Sequence, residues 1–395
     1  MSKVNGYDFS RGIVDEVDNE QEHAVSIARI NIDEYLIRHL SIAVTNKCNL
    51  SCEYCYKSVQ HDGCIMEIPF EKIRKYIDDF DSVEVHGNKV QTVQLIGGEP
   101  TLHENFIDIC RHIIQKGLQL RISTNGTNTK LLQSLEMQEL CRMGAVEFRV
   151  SLDEIPSKRT TRGRGGNTNV IGSNIEFLVK HGNNVSIKSV ITRQNIDYIS
   201  DMLEYLHAIG VKNFSYSSLY NLGNANNERF YKSNYVSDLE IYLKVLSIIK
   251  LHPEYAPMLQ ANIVFHMLTS IFVKHPPYFF TKFYAYVHYD GNIYPQDQLV
   301  FDKFKLGSIY DYKINNIISA LRDMKEKYEL RKAHCLKCFG YPYCTKGNYG
   351  ELFLMDHSMN DDFPTCNNLR ALMDYLMTHC DESLNFFRLL FYKKW

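Results

Sequence analysis

The chain has 395 residues, 45% of them apolar and 23% charged, with 44 basic side chains against 46 acidic ones. This composition excludes wholesale disorder and fibrous architecture, and the length suffices for two or three structural units with buried cores. A net charge of −2 gives no electrostatic case for nucleic acid or an anionic membrane as the main partner.

No run approaches the roughly 20 apolar residues of a membrane helix. The N-terminal stretch, through His23, lacks the apolar core of a secretory signal. The expected compartment is therefore the reducing cytoplasm. There, 11 cysteines read as metal ligands or small buried hydrophobes rather than disulfides.

Residues 1–37 read as an N-terminal extension. From residue 38 to 223, β-rich runs alternate with segments of helical period. The predicted strands are His39–Asn46, Val90–Ile96, Leu118–Thr124, Val146–Leu152, Val185–Ile191 and Asn213–Ser217. Between them, Phe106, Ile109, Cys110, Ile113 and Ile114 recur at helical spacing, as do Ile196, Ile199, Leu203 and Leu206. Gly210 follows the second set as a C-cap candidate. Such β/α units predict a parallel α/β sheet with helices outside. With fewer units than a closed TIM barrel, the expected form is a partial (β/α)6 TIM-like barrel, whose functional groups sit in the loops after the strands.

Residues 224–330 read as a connecting region. It contains a helix over Ser237–Ile249 and a β-hairpin over Tyr284–Tyr294 that turns at the dipeptide Asp290-Gly291. Residues 331–395 form a cysteine-rich C-terminal domain with helical periodicity over Asn368–Tyr392.

Directly after the first strand stands Cys48-Asn-Leu-Ser-Cys52-Glu-Tyr-Cys55. Thiolates are soft ligands suited to iron–sulfur clusters and zinc. Three on one loop can hold three irons of a cubane and leave the fourth iron open. Zinc needs a fourth ligand, for which His61 is the neighbouring candidate. Three further motifs follow later strands: Gly97-Gly98-Glu99-Pro100, Ser123-Thr124-Asn125-Gly126 and Ser151-Leu152-Asp153. Taken alone, the first two read equally as turns. Arg159, Arg162 and Arg164 cluster just beyond the last. In the C-terminal stretch, Cys335, Cys338, Cys344 and Cys366 supply four thiols, enough to complete a cubane or to hold a tetrahedral zinc. Cys64, Cys110, Cys141 and Cys380 show no ligand spacing, and Cys110 and Cys380 fall within helical patterns as core residues.

The cysteine triplet, with aromatic Tyr54 before its last member, resembles the radical S-adenosylmethionine (SAM) signature. The resemblance spans about residues 38–220. It implies a [4Fe–4S] cluster on Cys48, Cys52 and Cys55 whose open iron chelates SAM. Reductive cleavage would then yield a 5′-deoxyadenosyl radical that abstracts hydrogen from a substrate. It further implies that Gly97, Gly98 and Glu99 bind the SAM amino group, and that Ser123, Asn125, Ser151, Asp153 and Tyr54 lie at the cofactor. Arg162 matches an arginine of the peptide-modifying subgroup, and a guanidinium suits the SAM carboxylate.

The C-terminal cysteines resemble the SPASM extension of peptide maturases. They imply one auxiliary [4Fe–4S] cluster on Cys335, Cys338, Cys344 and Cys366. Gln296 and Asn348 stand where a second auxiliary cluster would need cysteines. Asp297 matches an aspartate that acts as catalytic base in sulfatase-maturing relatives. The aromatic residues from Tyr278 through Tyr294 are candidate lining of a peptide channel.

The expected function is post-translational modification of a peptide or protein: a crosslink, an epimerisation or an oxidation. An electron donor such as flavodoxin or ferredoxin, and a separate precursor-binding protein, are the implied partners. The alternatives are a radical SAM enzyme acting on a small molecule or cofactor precursor, and a non-catalytic iron–sulfur or zinc scaffold.

Overall fold

The computed structural model describes residues 35–57, 64–85, 88–156, 167–273, 283–335, 338–340, 343–344 and 366–391, together with residues 3–4 and 7–8. Of residues 3–4, 7–8, 35–36 and 325–335 only the backbone is described. Lys3–Val4 and Tyr7–Asp8 pair as a small antiparallel ribbon.

The six predicted strands form as β1 (His39–Thr45), β2 (Thr92–Gly97), β3 (Gln119–Thr124), β4 (Val146–Ser151), β5 (Asn184–Ile191) and β6 (Asn213–Ser218). They lie side by side in sequence order, and every neighbouring pair is parallel. Each crossover steps one strand in the same direction. Right-handed crossovers then place all the helices on one face.

The crossover helices are α1 (Phe70–Asp81), α2 (Phe106–Gln115), α3 (Leu135–Met143), α4 (Thr168–Lys180) and α5 (Ile199–Ala208). Their apolar stripes explain the packing: Phe106, Ile109, Cys110, Ile113 and Ile114 of α2 are all buried. Helix and strand residues merge into one core cluster, in which Phe148 and Phe214 are fully buried. Burying each such side chain is worth about 1.5–3 kcal/mol. Cys110 and Cys380 are buried core residues, as the sequence pattern predicts.

Beyond β6 come α6 (Asp238–Leu251), capped by the Ser237 hydroxyl accepting from the Glu240 amide, and α7 (Ile263–Phe272). Asn262 closes the free edge of β6. Its carboxamide accepts from the Tyr216 amide at 2.8 Å and donates to the Phe214 carbonyl at 2.9 Å.

The hairpin forms from β7 (Tyr286–Val287) and β8 (Asn292–Tyr294), and β9 (Gly307–Ser308) adds beside β8. β7 runs parallel to β1, so the hairpin extends the main sheet to nine strands. Its turn differs from expectation. His288 pairs with Asn292, so Tyr289, Asp290 and Gly291 make a three-residue loop, with Gly291 left-handed at φ 84°. A type I turn plus one left-handed residue is the usual solution for this loop length, and glycine takes that position without steric cost.

The long helix α8 (Ile314–Cys335) has too weak an apolar stripe to be evident from periodicity. The C-terminal pattern splits at His379 into α9 (Cys366–Thr378) and α10 (Cys380–Leu389). No helix among the described residues is long and apolar enough to cross a membrane.

Candidate functional site

Cys48, Cys52 and Cys55 lie on the loop leaving the C-terminal end of β1, and all three are half-buried. The loop is held from several sides. Asn46 clamps its base by donating to the Cys64 carbonyl and accepting from the Met66 amide, both at 2.8 Å. The Cys55 amide donates to the Cys52 carbonyl at 3.2 Å, forming a tight turn. From the far end of the barrel, the Asn224 amide donates to the Cys55 carbonyl at 2.9 Å, and its side chain to the Cys52 carbonyl at 3.0 Å. Gly223 packs so closely there that a Cβ would sit 2.3 Å from the Cys55 carbonyl oxygen, and its φ is +57°. Gly223 and Asn224 were not singled out in the sequence, although the Gly-Asn pair after the last strand marks a turn.

The glycines after β2 have a related task. The amides of Gly98 and Glu99 donate to the carbonyls of Thr45 and Lys47 at 2.8 and 2.7 Å. A Cβ on Gly98 would lie 2.4 Å from the Lys47 carbonyl oxygen. The close approach these glycines permit is to the backbone that introduces the cysteine loop.

Glu99 is fully buried. One oxygen, Oε1, accepts from the Thr101 amide and from the hydroxyls of Thr101 and Thr124. The other, Oε2, accepts from the Asn125 amide at 2.6 Å. Burial raises its pKa against these hydrogen bonds. Cys48 is raised likewise by burial, with Glu99 and Cys55 contributing, so the three groups share one electrostatic environment. Asn125 joins them: its side chain donates to Asn49 at 2.9 Å and works against the rise in the Cys48 pKa.

Tyr54 donates to Asp153 Oδ2, and Asp153 Oδ1 accepts from the Val190 amide at 2.8 Å. The predicted Tyr54 and Asp153 are thus brought together, and Asp153 ties the cysteine loop to the ends of β4 and β5. Ser123 and Ser151 sit lower, within β3 and at the last position of β4, on the face of the sheet opposite the helices. Asp297 reaches the loop from the hairpin side. It accepts from Tyr56 at 2.8 Å and from Tyr284 at 3.2 Å.

Arg162, His61 and Tyr278 through Phe280 lie outside the described residues. So does the side chain of Cys335, although its backbone ends α8. Cys338, Cys344 and Cys366 are half-buried. A Cβ on Gly340 would meet Met373 Sδ at 2.7 Å and Cys338 Sγ at 3.8 Å, which seats that turn on α9, the helix Cys366 opens.

The donor set at the first loop fits an iron–sulfur cubane: three half-buried thiols on one loop, beside a buried carboxylate. Among the described residues, no three His, Cys, Asp or Glu side chains converge as ligands of a single ion would. Thiols that each hold a different iron of a cubane need not converge in that way.

Sequence reasoning missed a second group on the face opposite the helices. Arg121 of β3 and Arg149 of β4 both donate to Glu147, at 2.8 and 2.9 Å, and Ser186 of β5 donates to it at 3.2 Å. Burial disfavours the Glu147 carboxylate, but Arg149 and Arg121 overcome that and hold its pKa below the usual value. Lys188 of β5 stands on the same face. The signal was the alternation itself. Parallel strands covered on both faces are nearly continuous apolar runs, whereas VEFRVS and NVSIKSVI alternate.

Comparison with known proteins agrees with this arrangement. Residues 42–230 match the model of the radical SAM superfamily. The chain is 28% identical over 192 residues to the tungsten-containing aldehyde ferredoxin oxidoreductase cofactor-modifying protein of Pyrococcus furiosus, covering 46% of this chain and 52% of that protein. It is 28% identical over 181 residues to the antilisterial bacteriocin subtilosin biosynthesis protein AlbA of Bacillus subtilis, covering 45% and 39%. The chain thus spans about half the length of these curated relatives.

Among solved structures, anSMEcpe with bound AdoMet superposes with a TM-score of 0.64 at 17% identity, covering 88% of this chain and 99% of that one. Streptococcus suis SuiB bound to S-adenosylmethionine gives 0.64 at 16% identity, covering 88% and 81%. At such identities the likeness is one of fold. The mixed α/β fold with its parallel sheet is therefore the radical SAM fold, and across residues 42–230 this chain carries a domain of the radical SAM superfamily, whose enzymes use a [4Fe–4S] cluster and SAM.

Proposed function

We propose that this protein modifies a peptide or protein substrate by radical SAM chemistry. The observation that carries the proposal is the loop of three thiols locked beside a buried carboxylate that no cation neutralises among the described residues. On this reading residues 38–223 are the catalytic barrel, 224–330 connect it, and 331–395 form an auxiliary-cluster domain.

Cys48, Cys52 and Cys55 would hold the SAM-binding [4Fe–4S] cluster, and Cys335, Cys338, Cys344 and Cys366 a single auxiliary one. When bound, the first cluster and SAM supply a 5′-deoxyadenosyl radical that takes a hydrogen atom from the substrate. The chain's own residues position and discriminate. Glu99 Oε2 has one donor and a lone pair to spare. A SAM ammonium there would give a buried anion the counter-charge it lacks. Asn125, Ser123, Ser151, Asp153, Tyr54 and Arg162 complete the cofactor's surroundings. Asp297, steadied by Tyr56 and Tyr284, would be the base that takes a proton from the substrate.

AlbA's name, and SuiB's structure with the precursor peptide SuiA, support a peptide substrate. The cofactor-modifying relative supports the second reading, a small-molecule or cofactor substrate. An electron donor such as flavodoxin or ferredoxin, a separate precursor-binding protein and a cytoplasmic location complete the proposal.

The test is anaerobic reconstitution. Wild type should carry about eight irons in two cubanes of four and release 5′-deoxyadenosine with SAM and reductant. Replacing Cys48, Cys52 and Cys55 by Ala should leave about four irons and no deoxyadenosine. A wild type that fails to cleave SAM would overturn the reading.

A further inference from the structure

Across the six parallel strands, residues of equal register on the face opposite the helices form layers. Arg121 lies beside Glu147, and Ser123 lies beside Arg149, which in turn lies beside Ser186. One layer nearer the cysteine loop, Ser151 lies beside Lys188, and Lys188 beside Ser215. The lower layers are internally neutralised in part, since both guanidiniums share the single carboxylate of Glu147. The upper layer differs. Among the described residues the Lys188 ammonium makes no hydrogen bond and no ion pair, and the side chain keeps access to solvent although it stands in mid-strand. Ser151 and Ser215 on either side are small, so they leave the ammonium uncovered while offering two hydroxyl donors.

An unpaired lysine in the middle of a sheet serves no purpose in packing. The surrounding walls desolvate it and Arg149 repels it, so its pKa falls to about 8, against the attraction of Asp297 and Glu147. At neutral pH it therefore remains mainly a cation, and an anion placed against it gains a charge-assisted bond that none of the described residues supplies.

We infer that Lys188, flanked by Ser151 and Ser215, is the anchor for a side-chain or terminal carboxylate of the substrate, a role that rests on the peptide-modifying reading above. The charge count selects the ligand class. The three cations Arg121, Arg149 and Lys188 face two carboxylates, Glu147 and Asp297, which leaves one positive charge, so the site matches a monoanion such as a carboxylate better than a polyphosphate. The position fits as well. Lys188 lies one layer below Asp153, on the face to which Asp297 also turns, so a peptide held there by an acidic residue would lie within the same enclosure as the cysteine loop.

The experiment uses reconstituted, SAM-loaded enzyme and two capped tripeptides, acetyl-Gly-Glu-Gly-amide and acetyl-Gly-Gln-Gly-amide, with binding followed by calorimetry. The glutamate peptide should bind about tenfold more tightly than its amide. Lys188→Met should erase the difference and Lys188→Arg should keep it, which separates loss of charge from loss of fold. Equal binding of the two peptides to wild type would overturn the inference, as would a preference that survives in Lys188→Met. If guanosine triphosphate bound more tightly than the glutamate peptide, and did so through Lys188, a phosphate site would replace the carboxylate site. The two proposals fail separately: a wild type that cleaves SAM but does not distinguish the peptides sinks only the carboxylate anchor.

Discussion

On β4, Val146, Phe148 and Val150 turn toward the helices and are buried, whereas Glu147, Arg149 and Ser151 on the same strand remain partly accessible. β5 repeats the contrast with Ile187 and Lys188. One face of the sheet is therefore close-packed and apolar, and the other is charged and open. β1 is different, being buried almost throughout, because the hairpin covers its inner side with Tyr286 and Tyr294 against Ala43 and Ile96. The polar face persists only where nothing among the described residues covers it. Parallel strands normally shun that condition, and it marks the uncovered strands β3 to β6 as the wall of a site rather than as scaffold.

The largest effect that sharpens this contrast is on the helix face. Phe148→Ala should cost about 3–5 kcal/mol through lost burial and the cavity it leaves, read as a lower denaturation midpoint. A loss under about 1 kcal/mol would mean that this face is not the load-carrying one. Next comes Glu99→Gln, where the two faces meet beneath the cysteine loop. SAM affinity should fall about tenfold as a charge-assisted bond becomes a neutral one, with iron content kept. Unchanged SAM affinity would remove Glu99 from the cofactor site.

A smaller, pH-dependent effect belongs to the inner face. Lys188 loses its proton as pH rises through about 8. Above that point, affinity for the glutamate tripeptide should fall toward that of the glutamine peptide, about tenfold in all, and below it should level off. Glu147 stays ionised across this range; Lys57, also lowered to about 8 by burial near Asp297, titrates with Lys188, and Lys188→Met, which should flatten the profile, separates the two. A flat profile from pH 7 to about 9.5 would break the assignment. Smallest of all, Ser151→Ala should alter stability by no more than about 0.5 kcal/mol, the counterpart of its buried neighbour Phe148.

Much of this was legible in the residues. All six strands were found within two residues at either end, because β-branched runs recur between helical patterns, and Cys48, Cys52 and Cys55 stand out by spacing as candidate ligands. Three things were not legible. The inner-face charges escaped because attention to the loops after the strands passes over the strands themselves, although Arg121, Glu147, Arg149 and Lys188 occupy alternate positions in plain view. α8 escaped because its weak stripe blurs the period. The hairpin turn was read one residue short, since Asp290-Gly291 suits a two-residue loop equally well and only the pairing of His288 with Asn292 decides.

The clamp from Gly223 and Asn224 bears on the order of assembly. Asn224 grips the Cys52 carbonyl across a sequence separation of 172 residues. Contacts this distant form late, after the intervening chain has paid its loop-closure entropy. All three thiols emerge early in synthesis, yet the turn that carries them receives this last latch only after the sixth strand has docked. A chain cut short before Gly223 would possess every cysteine of the first loop and still leave that loop unlatched.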